Sequence, residues 1–82
     1  MMYVYALKSK KDQHLYIGMS KSPWQRLTEH NSGMTRSTKG RRPFELIYIE
    51  QCKNAIEARK REKNLKSGSG REFLKSFVSS LI

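Results

Sequence analysis

Tyr3-Val4-Tyr5-Ala6-Leu7 and, after a polar stretch, Leu15-Tyr16-Ile17-Gly18 decide how this chain begins to fold. The first run is rich in aromatic and β-favouring residues and reads as a strand. Lys8 to His14 contains no apolar residue and reads as a hairpin loop, which makes the second run the returning strand. A register that brings Tyr5 and Tyr16 to one face fits this pairing, because alternate residues of a strand share a face.

Working outward, Ser22-Pro23 opens a helix, with Ser as N-cap, Pro at the first helical position and Gln25 three residues after the cap. This helix is expected to run to about Asn31 and to end at Gly33. Leu27, beside Trp24, is expected to face the core, and Arg26 and His30 stack on a common face. Met34 to Arg42 reads as a basic loop with Arg36, Lys39, Arg41 and Arg42 among Thr, Ser and Gly. Phe44 to Glu50 is a third strand. Asn54 is placed to cap a second helix, about Ala55 to Lys66, with Glu57 in the capping-box position. Ala55, Ala58, Glu62 and Leu65 fall on one stripe of that helix. Gly68-Ser69-Gly70 is expected to break the chain before a last amphipathic helix from Arg71 to Leu81, with Phe73, Leu74, Phe77, Val78 and Leu81 on its apolar face. There is no internal repeat and no low-complexity tract, so the expectation is one domain over residues 1–82.

Composition narrows the function. The apolar fraction is 37%, in clusters along the whole chain, which suits a globular domain with a modest core. Seventeen Lys and Arg against seven Asp and Glu leave a net charge of +10, a field that attracts polyanions. A basic protein that is merely soluble is the plainer alternative. A membrane surface is also anionic, but no long amphipathic helix with an apolar face accompanies the charge. The single cysteine, Cys52, excludes an internal disulfide, and no Cys/His cluster has zinc spacing. With no signal-like or membrane-spanning run, the expected setting is cytoplasmic.

Several residues have the chemistry of a site. Glu62 is an ionised carboxylate on an apolar stripe, which is costly unless compensated. It is either a partly exposed Glu paired with Arg59 or Lys66, or an oxygen ligand for a hard cation such as Mg²⁺ or Mn²⁺. Arg26 and His30 form either a phosphate clamp or a solvated helix face. Tyr5 and Tyr16 are either core aromatics or phenols that orient or deprotonate water near a metal.

Taken together, Tyr3-Val4-Tyr5, then Tyr16-Ile17-Gly18, Arg26, His30 and Glu57-Ala58-Arg59-Lys60-Arg61-Glu62 resemble the GIY-YIG nuclease superfamily, in particular its small stand-alone members. The likeness extends to the N-terminal nuclease domain of the excision-repair nuclease and covers roughly Tyr3 to Lys66. Tyr3 stands where the first motif usually has Gly. Met19 stands where the excision-repair relatives have lysine, and Phe73-Leu74-Lys75 falls where they have an Asn. These departures bear on rate and substrate preference more than on reaction class.

The resemblance implies an α+β fold, a three-stranded antiparallel sheet flanked by helices, and phosphodiester hydrolysis with one divalent cation, Mg²⁺ or Mn²⁺. Glu62 would bind the metal, and Tyr5 and Tyr16 would position or deprotonate the attacking water. Arg26 would stabilise the scissile phosphate, with His30 in support. A tyrosine needs nearby cations to lower its pKa before it serves as a base at neutral pH, and the metal, Arg26 and the positive field push that way. Lys21, the loop residues Arg36, Lys39, Arg41 and Arg42, and Arg59 and Lys63 on the second helix are the candidate nucleic-acid contacts. The expected substrate is DNA, with RNA left open and with selectivity for DNA structure in repair or recombination. A homodimer or a targeting partner would explain how so small a domain spans a duplex. The competing expectations are a binding module of the same fold with little cleavage, and an RNA-associated structural protein in which these side chains do not cluster.

Overall fold

A computed structural model describes residues 1–80. Three strands, β1 (Met2–Ser9), β2 (Leu15–Ser20) and β3 (Phe44–Cys52), form one antiparallel sheet in the order β2-β1-β3. The fold is α+β. The central strand is also the most apolar: Val4, Tyr5, Ala6 and Leu7 are all buried, because both faces of β1 are covered.

Strand alternation divides the core in two. One face carries Val4, Ala6, Ile17 and Cys52, packed against Ala58, Leu65 and Leu74. The latter three come from helices α2 (Ala55–Lys66) and α3 (Gly68–Ser80). The opposite face carries Tyr5, Leu7 and Phe44, with Leu27 of helix α1 (Pro23–Asn31) packed against them. A bulge in the β1–β3 pairing shifts the register between Ala6 and Leu7. It lets Ile47 and Tyr48, consecutive in sequence, both join the first core, while Leu46 joins the second.

Local signals account for most boundaries. Asn54 accepts the Glu57 backbone N–H at 2.9 Å and starts α2. Pro23 opens α1, but the Ser22 side chain makes no capping bond; only its backbone carbonyl joins the helix, accepting from Arg26. Gly33, at φ +84°, follows the end of α1 in the left-handed region, and the Arg42 guanidinium lies across it.

Three further expectations change. The strands are longer than the apolar runs, and β3 continues to Cys52. Gly68-Ser69-Gly70 does not break the chain but forms the first turn of α3, and Ser67 alone separates the two helices. The reason is close packing: a Cβ on Gly70 would overlap the Asn64 carbonyl and the Leu65 backbone, so the glycine lets α3 sit against the end of α2. Finally, Ala55 is exposed, and only Ala58 and Leu65 of its stripe are fully buried. Leu81, expected on the apolar face of the last helix, lies outside the described residues. No described helix is long and apolar enough to cross a membrane.

Candidate active site

Tyr5 and Tyr16 stand on the same face of the sheet. Tyr5 is opposite Gly18 and Leu7 is opposite Tyr16, so the two tyrosines are diagonal neighbours. The Tyr5 ring lies over the Gly18 backbone. A Cβ there would come 2.7 Å from the Tyr5 hydroxyl and 3.3 Å from Tyr16 Cε1. The glycine of Tyr-Ile-Gly is therefore a space-maker for both phenols.

Helix α1 crosses this face. Its Arg26 is half exposed, and Nη1 lies 3.1 Å from Glu29 Oε1. Gln25 Nε2 donates to the other Glu29 oxygen at 3.3 Å. Arg26 and Glu29 line an open polar cleft of about 330 Å³ with Ser20, Lys21, Ser22 and Gln25. His30 does not share the solvated face of Arg26; it is only 2% exposed. Its Nδ1 lies 2.8 Å from Thr38 Oγ1, and that hydroxyl donates to the Thr35 carbonyl at 3.3 Å. The Thr38 oxygen is thus left to accept, which assigns the proton to His30 Nδ1 through the hydrogen-bond network. The imidazole sits 4.7 Å from the Tyr16 ring, centroid to centroid. Burial holds its pKa below the ordinary histidine value, the Arg26 charge adds to this, and Glu29 opposes it.

Glu62 comes from the other side of the sheet. Its side chain is 16% exposed, with one carboxylate oxygen 3.7 Å from Lys66 Nζ. The rotation of α2 is held by the preceding residue. Arg61 donates to Glu50 of β3 at 3.0 Å and lies 5.5 Å over the Phe73 ring.

Tyr16, Arg26, Glu29 and Glu62 all lie close enough to act electrostatically on Tyr5. Burial pushes the Tyr5 hydroxyl up to about 12; Tyr16, Glu29 and Glu62 add to the rise, and Arg26 opposes it. The expected downward pull of the cations on this tyrosine is outweighed by desolvation in the free chain.

The sequence model of the GIY-YIG catalytic domain matches residues 1–75. The chain belongs to the GIY-YIG family. Its relatives include a UPF0213 protein of Staphylococcus saprophyticus, 40% identical over 74 residues and covering 89% of each chain. A UPF0213 protein of Clostridium perfringens is 42% identical over 67 residues, covering 80% of this chain and 71% of the other. A third, from Desulfotalea psychrophila, is 44% identical over 57 residues, covering 67% of this chain and 52% of the other. No solved structure matches. Membership of GIY-YIG places the chain in a nuclease family.

GIY-YIG nucleases are generally dependent on a divalent metal. Among the described residues no three His, Cys, Asp or Glu side chains converge as a metal site. The carboxylates near Tyr5 are Glu29, which is engaged by Arg26, and Glu62, which lies beside phenol oxygens with no thiolate. That set suits a hard cation that takes one carboxylate and keeps several waters, and it does not suit zinc.

The basic residues divide. Lys21 lines the polar cleft beside Arg26. Arg36, Lys39, Arg59 and Lys63 are exposed and make no ion pair among the described residues. Arg41 is committed elsewhere: it pairs with Asp12 at 2.6 Å. Arg42 donates to the Lys39 carbonyl at 2.9 Å. The 34–42 loop is accordingly tied down. It includes a short 3₁₀ turn, Lys39–Arg41, and the Ser9 hydroxyl donates to the Arg41 carbonyl at 2.6 Å. Sequence reasoning missed Glu29 and Thr38, the partners of Arg26 and His30. Glu29 had a usable signal, three residues after Arg26 on one helix. Thr38, in a loop, had none.

Proposed function

We propose that this GIY-YIG chain is a divalent-metal-dependent endonuclease that hydrolyses phosphodiester bonds in DNA, selective for DNA structure and acting in repair or recombination. The observation that supports it most is the placing of Tyr5 and Tyr16 together over Gly18, with Arg26 and Glu62 within electrostatic range of the Tyr5 hydroxyl. Two phenols with a guanidinium and a carboxylate within electrostatic range supply what hydrolysis of a phosphodiester needs: oxygen donors for water and cation, and a clamp for developing negative charge. A bound divalent cation would supply polarisation of the phosphate and stabilisation of the leaving oxygen.

In this reading Glu62 leaves its Lys66 pair to hold the cation. Arg26 binds the scissile phosphate in the cleft it shares with Lys21 and stabilises its charge. Tyr5, neutral at physiological pH, orients the attacking water as a hydrogen-bond donor or acceptor. Tyr16 helps to position the attacking water, with neutral His30 packed against its ring. Lys21, Arg36, Lys39, Arg59 and Lys63 contact the strand backbone; Arg41 and Arg42 shape the loop and add charge.

The test is incubation of the purified chain with Mg²⁺ or Mn²⁺ and nicked, flapped, branched and supercoiled DNAs. Cleavage is expected, is abolished by chelation and is lost in Glu62→Ala. Cleavage that survives Glu62→Ala overturns the reading. A binding module with little turnover is favoured by one observation: in the free chain Arg26 and Glu62 are each engaged by a neighbour, Glu29 and Lys66. Salt-sensitive binding without turnover under any metal is its signature.

A further inference from the structure

An open cleft of about 350 Å³ lies beside the polar one, lined by Tyr3, Lys21, Ser22, Pro23, Trp24 and Ile49. The two clefts share Lys21 and Ser22. Trp24 is 65% exposed, in a residue type that is on average highly buried, and Ile49 is 39% exposed. The indole makes no hydrogen bond or ring contact among the described residues. Tyr3 precedes Tyr5 by two positions on the same strand face, roughly 7 Å along β1, and Ile49 pairs directly with Tyr5.

We propose that Trp24, with Tyr3 and Ile49, forms a nucleobase subsite that stacks the base of the nucleotide adjoining the phosphate held at Lys21 and Arg26. This deepens the nuclease reading and rests on it for the position of that phosphate. The chemistry fits a nucleotide: a flat apolar surface joined, through a lysine, to a cationic cleft matches a flat base joined to an anionic phosphate. A purely apolar partner would not use the lysine. A backbone-only contact would leave the indole exposed to water for nothing. Stacking on an aromatic side chain tolerates any base, because every base has a π-face.

Trp24 is the sole tryptophan of the chain, so its emission reports on this subsite alone. The full chain is titrated at low salt, with chelator present to stop hydrolysis, against a single-stranded oligonucleotide and an abasic strand of equal length. The base-bearing strand is expected to quench Trp24 saturably and to bind about 10-fold more tightly than the abasic one. Trp24→Ala is expected to weaken the first strand about 10-fold and leave the abasic strand unchanged, and Trp24→Phe to retain most of the affinity. Equal affinity for both strands without quenching overturns the proposal. So does an emission change that follows protein concentration in the absence of oligonucleotide, which would assign Trp24 to contact with a second copy. Cleavage is scored separately with Mg²⁺. Quenching with the expected base preference but no cleavage supports the subsite and sinks only the nuclease reading. Cleavage whose KM is unmoved by Trp24→Ala, without quenching, sinks only the subsite.

Discussion

The Tyr5 hydroxyl occupies the space that any side chain at residue 18 would take. Tyr5 is buried on the central strand and Gly18 faces it across the β1–β2 pairing, so neither can yield alone. The position of the phenol is thereby set by the absence of a methyl group on its neighbour.

Gly18→Ala tests this relationship directly. Its Cβ would come 2.7 Å from the Tyr5 oxygen, so the ring has to move within a packed core. The expected cost is about 1–3 kcal/mol of stability, read from denaturant unfolding. Cleavage should drop further than stability explains, by about 100-fold, because both phenols shift. Unchanged activity in a folded Gly18→Ala protein would show that Tyr5 placement does not matter.

The ionisation of Tyr5 sets an alkaline limit. Its hydroxyl is raised to about 12 in the fold, above the ordinary value of about 10. The fold therefore favours the neutral phenol. This contribution is fully present below about pH 10 and is lost as pH rises through about 12. Phenolate absorbance should show Tyr5 and Tyr48, both raised by burial, titrating late, and Tyr5→Phe should remove the step at about 12 alone. The same variant should lower cleavage by about 100-fold to 10,000-fold if the hydroxyl handles water in the reaction.

An acid limit follows from His30. Burial lowers its pKa, so the unfolded chain binds this proton more readily than the folded one. Stability is full above about pH 6.5, the unfolded value, and is lost as pH falls through the lower folded value. Melting temperature against pH should decline in that window and flatten in His30→Gln. Thr38→Val removes the acceptor for His30 Nδ1 and should cost about 1–3 kcal/mol at neutral pH. A Thr38→Val protein as stable as the parent would mean the imidazole finds another partner.

Glu29 competes with phosphate for Arg26. Its carboxylate lies 3.1 Å from the guanidinium and lines the same cleft. Glu29→Gln should tighten DNA binding several-fold at low salt, since it removes a negative charge facing the phosphate. Arg26→Ala should reduce the salt slope of binding by about one phosphate contact and lower kcat by about 100-fold to 1,000-fold. Weaker binding by Glu29→Gln would identify Glu29 as a support for Arg26 instead of a competitor.

Much of this was legible in the residues alone. Alternation in Tyr3–Leu7 and Leu15–Gly18 yields the hairpin, Pro23 starts α1, and Asn54 with Glu57 starts α2, because these signals act between near neighbours in the chain. The residues alone made Tyr5, Tyr16, Arg26, His30 and Glu62 candidates, and the resemblance to GIY-YIG nucleases joined them as a proposed set. What escaped was the set of relations between distant segments. Gly68 and Gly70 read as breakers, yet they begin a helix, because Gly70 has to pass the backbone of Leu65. Arg41 read as a free cation until Asp12, on the β1–β2 turn, came within 2.6 Å.

The chain by itself determined the local conformations, the family and the types of chemical group on hand. Only the tertiary structure decided which charges are spent on partners, that His30 is inside, that Trp24 is outside, and that burial outweighs cations at Tyr5. The reason is physical: periodicity and capping depend on neighbours a few residues away, whereas desolvation and pairing depend on which groups packing brings together and how much water it leaves between them.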